Sequence, residues 1–221
     1  MSFFERYVNS KLYQYTDIFF KIMLLNFYMI ITIICGFFII GIPIAIAAGA
    51  TTLSLILKKT STEVTSTYFT LLRKTYRKVM VKGIVLEILI ALLGFNVVFF
   101  YYGLEPFSLY YVFGFIISLW MLLFTIIAFY HTMILSIIYD VKWVSIIKHG
   151  YLLTIGFGLR SIAAITMGIM YTLLVIWIPI LSALIGFSGA LLLAFWLLNK
   201  PYQQIETLKQ DFNESLESYF K

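Results

Sequence analysis

A chain of 221 residues that is 62% hydrophobic and only 12% charged lies outside the range of soluble domains, which run at about 45–50% apolar and about 25% charged. A soluble fold could not hide so much apolar surface, and the net charge of +6 reads as membrane orientation, not as a nucleic-acid footprint. The lone cysteine, Cys35, rules out an intramolecular disulfide.

The first 19 residues form an amphipathic segment in which Phe4, Val8 and Leu12 share a helical face, with no short apolar core and cleavage site of a removable signal. The transmembrane domain follows over residues 20–199. A helix crossing about 30 Å of hydrocarbon needs about 20 apolar residues, and two of the apolar stretches, Ile22 to Leu57 and Ser161 to Asn199, are too long for one crossing. Each is interrupted by a proline, Pro43 and Pro179, which predicts a hairpin at each. The predicted spans are 20–41, 44–58, 83–102, 109–135, 161–178 and 181–198, with the second short enough that a five-span alternative stays open. Between them lie a basic amphipathic helix over 60–82 and a loop over 138–160, and the chain ends in an amphipathic tail over 200–221, with Ile205, Leu208, Phe212 and Leu216 on one face. Six spans with both termini inside put all 16 Lys and Arg on one side, as the positive-inside rule requires of a cytoplasmic face. Glu105 is then the charge left outside. Tyr101, Tyr102, Tyr110 and Tyr111 at one end, and Tyr139, Trp143, Tyr151 and Tyr202 at the other, fit headgroup depth. Small residues at four-residue spacing, Ala164, Gly168 and Thr172, then Ser182, Gly186, Ala190 and Ala194, predict close helix packing.

The segment YFTLLRKTYRKVMVK carries Arg73, Lys74, Arg77, Lys78 and Lys82 among aromatic and aliphatic residues. Such a helix beside a span attracts anionic lipid at about 1 kcal/mol per basic residue and offers a docking surface to a protein partner, while also serving orientation. The polar residues in or beside spans are Asn26, Glu87, Asn96, His131 and Arg160, and ionisable groups there mark functional sites by default. Glu87 and Arg160 stand at matching depth near the basic side, which predicts that they pair. His131 and His149 have no metal-ligand spacing, and no phosphate loop or nucleophile elbow is present. No catalytic residue, metal site or cofactor is therefore expected.

Four segments carry a family resemblance: MLLNFYMI with Asn26, IPIAIAAGATTLSLILKK over 42–59, YFTLLRKTYRKV over 68–79, and YDVKWVSIIKHGYLLTIGFGLRSI over 139–162. Read in order they resemble the YesL-like family of bacterial membrane proteins, whose biochemical activity is undefined. The sequence departs from that pattern at Gly49, where the family often has proline, and carries no family motif after residue 165. The resemblance implies an association with carbohydrate ABC transporters. The expected fold is an all-α membrane bundle of about six transmembrane helices in a bacterial cell membrane. Two functions are carried forward: a non-enzymatic accessory subunit contacting the permease subunits of such a transporter, and a transporter or channel for a small solute. Nucleic acid is not an expected partner.

Overall fold

A computed structural model describes residues 11–58 (residues 11 and 12 by backbone alone), 63–104 and 108–199, and in the C-terminal segment residues 202, 205, 207, 208, 210, 211 and 213–215. Phe4 and Val8, the side chain of Leu12, the loop at Glu105, and Phe212 and Leu216 lie outside these. The described residues form an all-α bundle without strands: α1 (Lys11–Cys35), α2 (Gly41–Leu57), α3 (Val64–Tyr102), α4 (Leu109–Ile138), α5 (Trp143–Gly156), α6 (Gly158–Trp177) and α7 (Pro179–Leu198). Five of these, α1, α3, α4, α6 and α7, are long and apolar enough to cross a membrane, and the chain is a multi-pass membrane protein. At 17 residues, α2 reaches only about 25 Å, less than the hydrocarbon thickness.

The α1–α2 hairpin turns earlier than its proline predicts. Helix α1 ends at Cys35, and the reversal runs through Phe37 and Phe38, both left-handed at φ 50° and 63°. That conformation costs a bulky residue about 1–3 kcal/mol. The turn closes through Phe38 N–H to the Ile33 carbonyl (2.9 Å) and through a glycine contact, since a Cβ on Gly36 would stand 2.5 Å from Gly41 Cα. Pro43 instead sits in the first turn of α2, where the backbone N–H has no intrahelical partner to lose. Pro179 fits its predicted role and opens α7.

Helix α2 is the centre of the bundle. Its Ala, Gly, Thr and Ser residues are almost all buried, and their small side chains let α1, α3, α4 and α7 close on it. Thr51, Thr52 and Ser54 return their hydroxyls to the helix's own carbonyls at 2.8–2.9 Å, so a polar stripe is buried without partners from outside.

The predicted basic helix 60–82 and span 83–102 are one helix. Helix α3 runs unbroken for 39 residues, about 58 Å, because nothing between Lys82 and Gly83 caps or breaks it. Gly83 is where α2 meets it: a Cβ there would lie 2.2 Å from Pro43 Cβ. From this contact to the short link at 58–63, α2 runs antiparallel to the basic half of α3. A buried stripe through Val64, Tyr68, Leu71, Thr75, Val79 and Leu86 marks the inward face. The apolar half of α3 pairs with α4, with Phe100 against Gly114 and Tyr111 against Gly103.

Residues 138–160, predicted as a loop, are largely helical. Helix α5 lies along α4, with Gly150 against Thr132 and the Ala128 carbonyl and the Tyr151 and Thr125 hydroxyls 2.9 Å apart. The small-residue stripes do less than predicted. Nothing stands within 4 Å of a Cβ on Gly168, and α6 meets α7 instead where the Tyr171 hydroxyl seats over Gly189 and donates to the Ile185 carbonyl (2.7 Å).

Candidate functional site: a basic flank and a set of buried polar groups

The residues singled out by sequence fall into three separate places. The first is the basic half of α3. Arg73, Lys74 and Arg77 are exposed and Lys78 is half-buried, on the side away from the stripe that packs inward. Arg77 donates through Nε to the Tyr76 hydroxyl (2.7 Å), with its guanidinium 5.5 Å from the centre of that ring. Lys78 pairs with Asp140 at 3.5 Å, which ties this flank to the link between α4 and α5. Lys82 is buried, so it is not part of the presented surface.

The second is Asn26. It is fully buried, and its amide engages α7: Nδ2 donates to the Ala183 carbonyl (2.8 Å) and, more distantly, to that of Ser182 (3.5 Å). Its Oδ1 accepts from the N–H groups of Phe187 (2.8 Å) and Ser188 (3.1 Å). Residues 183 and 187 are partners of one another in an unbroken α-helix, so Asn26 clasps both ends of that pair. Tyr171 takes the next carbonyls, those of Ile185 and Gly186. One turn of α7 is thus held by side chains from two other helices.

The third is the inner part of α4. His131 is fully buried, with Nδ1 3.1 Å from the Tyr202 hydroxyl and Nε2 without a partner. The Tyr130 hydroxyl, Thr132 Oγ1 and both carboxylate oxygens of Glu87 are likewise buried and unpartnered. The predicted Glu87–Arg160 pair does not form: Glu87 has no partner, and α3 and α6 share no substantial contact. Matching depth along the bilayer did not mean adjacency around the bundle. Asn96 is exposed on α3, facing away from any interior path. Cys35 is exposed, not the packing residue its apolar setting predicts, and His149 is exposed on α5 with Nδ1 donating to the Ser145 carbonyl (2.6 Å).

Sequence reading missed the C-terminal segment as a packed element. Tyr202 is buried against α4, the Tyr139 hydroxyl donates to Asp211 (2.5 Å), Ser215 donates to the Ile138 carbonyl (3.3 Å), and Lys58 donates to Asn213 (2.8 Å). Burial, and then the Asp211 carboxylate, push the Tyr139 phenol up to about 12. Burial also raises the Tyr202 phenol well above its ordinary value. Two signals pointed here, the apolar face of Ile205 and Leu208 and the aromatic residues at this end of the spans, the latter read only as headgroup anchors. Among the described residues no group of three or more His, Cys, Asp or Glu could hold a metal ion.

No curated protein matches the chain, and no solved structure matches it. Residues 22–97 match the sequence profile of a family described as "Protein of unknown function, DUF624". The matched stretch holds Asn26, the α1–α2 turn, all of α2, the basic flank, Gly83 and Glu87, and it supports placing the chain with an uncharacterised family of membrane proteins.

Proposed function

We propose that this chain is a non-enzymatic accessory subunit of a bacterial cell-membrane assembly, with α2 as a sixth crossing in a locally thinned bilayer so that both termini are cytoplasmic, and that it docks through the basic flank of α3. Following the resemblance to YesL-like proteins, the assembly is a carbohydrate ABC transporter and the docking partners are its permease subunits. The observation that carries the reading is the way the flank is presented. Arg73, Lys74 and Arg77 stand exposed on a helix whose opposite stripe is buried against α2, so the cations are held on a rigid edge. A rigid edge lowers the ordering cost of binding. The filled centre of the bundle agrees, since Ala45, Ala47, Ala48 and Leu53 are fully buried where a solute path would run.

The test is isolation from native membranes in mild detergent, comparing the wild-type chain with a variant carrying Arg73→Gln, Lys74→Gln, Arg77→Gln and Lys78→Gln. Permease subunits retained by the wild type and lost by the variant support docking at this flank. Equal recovery with both chains moves docking elsewhere, and no recovery with either removes the accessory reading. The second reading, a transporter or channel for a small solute, has the unpartnered Glu87 carboxylate and the clasped turn of α7 in its favour. Glu87→Gln abolishing solute uptake by vesicles that contain this chain alone would select it.

A further inference from the structure

A cavity of about 450 Å³ opens between α4, α5 and the C-terminal segment, a volume within the range of small-molecule sites. Leu135, Ile146 and Leu153 line it from the helices, and Ile205 and Leu208 from the C-terminal segment. Its polar margin is Tyr139, Ser145 and His149, and among the described residues no carboxylate lines it. Two described acids nearby are engaged, Asp140 by Lys78 and Asp211 by the Tyr139 hydroxyl.

Two further observations say what fits. The outer side of α5 is apolar and exposed at Trp143, Val144, Leu152 and Ile155, which in a multi-pass membrane protein is a surface for lipid. Lys142, exposed at the N-cap of α5, follows directly on the lining residue Val141, which puts a cation beside the cavity's edge. His149 gives its Nδ1 proton to the Ser145 carbonyl. Lys148, next in sequence to His149, is also exposed. An apolar chamber with an exposed cation beside its edge, on a helix whose other side is apolar and exposed, matches one chemistry.

We propose that this cavity holds an acyl chain of an anionic phospholipid whose phosphate lies against Lys142. The site is separate from the basic flank of α3 and does not depend on the docking reading. The test uses a chain in which Trp143 is the sole tryptophan (Trp120→Phe, Trp177→Phe, Trp196→Phe), reconstituted into phosphatidylcholine vesicles. These contain either brominated phosphatidylglycerol or brominated phosphatidylcholine, and quenching of Trp143 reports bromine at α5. Anionic lipid is expected to quench at lower mole fraction, and Lys142→Gln to reduce that preference about fivefold, the equivalent of about 1 kcal/mol per basic residue. Ser145→Phe and Leu208→Phe, two independent ways of filling the cavity, are each expected to remove the preferential component and leave only the quenching common to both lipids. Equal quenching by the two lipids in the parent chain overturns the proposal. So does a preference that survives both cavity-filling substitutions in variants that keep the parent's helical circular dichroism. Native mass spectrometry of the wild-type chain in detergent gives a second readout: retained phosphatidylglycerol supports the site, and a lipid-free chain counts against it.

Discussion

Replacing Asn26 tests whether the clasp on α7 holds the bundle together. Asn26→Leu keeps the branching and the number of side-chain heavy atoms, with bulkier methyl ends, and removes the amide, which makes three short hydrogen bonds of 2.8, 2.8 and 3.1 Å and one weak one at 3.5 Å. Side-chain hydrogen bonds between membrane helices average about 0.6 kcal/mol and reach about 1.7, so the three short bonds together contribute about 2 kcal/mol, with about 5 as the ceiling. Relaxation works against the loss. The Ala183 carbonyl and the Phe187 N–H stand at i, i+4 spacing in the continuous helix α7, so neither is orphaned when the amide is gone, which holds the expected destabilisation near the lower figure. Asn26→Asp separates the two halves of the clasp, keeping the acceptor for Phe187 and Ser188 but losing the donor and turning a carboxylate toward the Ala183 carbonyl. It is expected to cost more than the leucine, because a buried unpaired charge is more expensive than a missing amide. Reversible unfolding in mixed micelles with increasing anionic detergent measures both. A leucine variant within about 0.3 kcal/mol of wild type, well below a single bond of this kind, refutes the argument. An aspartate variant no worse than the leucine would show that the donor half contributes nothing.

Gly83→Ala puts a methyl 2.2 Å from Pro43 Cβ and is expected to destabilise by about 1–3 kcal/mol as an overpacked contact. Gly94→Ala on the same helix, where a Cβ meets nothing within 4 Å, is expected to be neutral or to stabilise by up to about 1 kcal/mol; unfolding in detergent compares them. Because Glu87 and Arg160 do not meet, Glu87→Gln and Arg160→Gln should be additive to within about 0.5 kcal/mol in a double-mutant cycle, and Glu87→Gln alone should stabilise. In a Cys35→Ser background, an impermeant thiol reagent on intact cells is expected to label Ser108→Cys but neither Ser2→Cys nor Ser218→Cys, as the one-sided Lys and Arg distribution requires. The Tyr139 phenol is raised to about 12, so its contribution is complete below pH 10 and is lost between about pH 10 and 12 as the unfolded form alone ionises. A thermal-stability profile in detergent should lose part of its decline in that window on Tyr139→Phe.

Much of the fold was legible because a bilayer leaves the backbone few options. Long charge-free runs gave the helices, and the prolines gave two reversals, one of them displaced because Pro43 is tolerated in a first turn. What stayed hidden depended on three-dimensional neighbours. The charges from Arg73 to Lys82 suggested a separate surface helix, yet no residue between them and Gly83 stops the helix, and the buried stripe facing α2 carries it through. Asn26 was visible as a costly amide in an apolar run, but its partners are backbone groups some 160 positions away, and a backbone partner leaves no mark in the sequence. Glu87 and Arg160 show the converse error: depth follows from counting residues, whereas angular position around the bundle does not. The docked C-terminal segment was missed for the same reason, since Tyr202, Asp211 and Ser215 meet α4 only through tertiary packing.

The continuity of α3 has a mechanical consequence. A rod about 58 Å long, with its apolar half paired to α4 and its basic half braced by α2, behaves as a lever with its fulcrum near Gly83. Membrane helices answer a change in bilayer thickness by altering their tilt, and a re-tilt of about 10° swings one end of such a rod by about 10 Å relative to the other. A re-tilt of that size would carry Arg73, Lys74 and Arg77 with it, because the unbroken helix ties their position to the tilt of its apolar half.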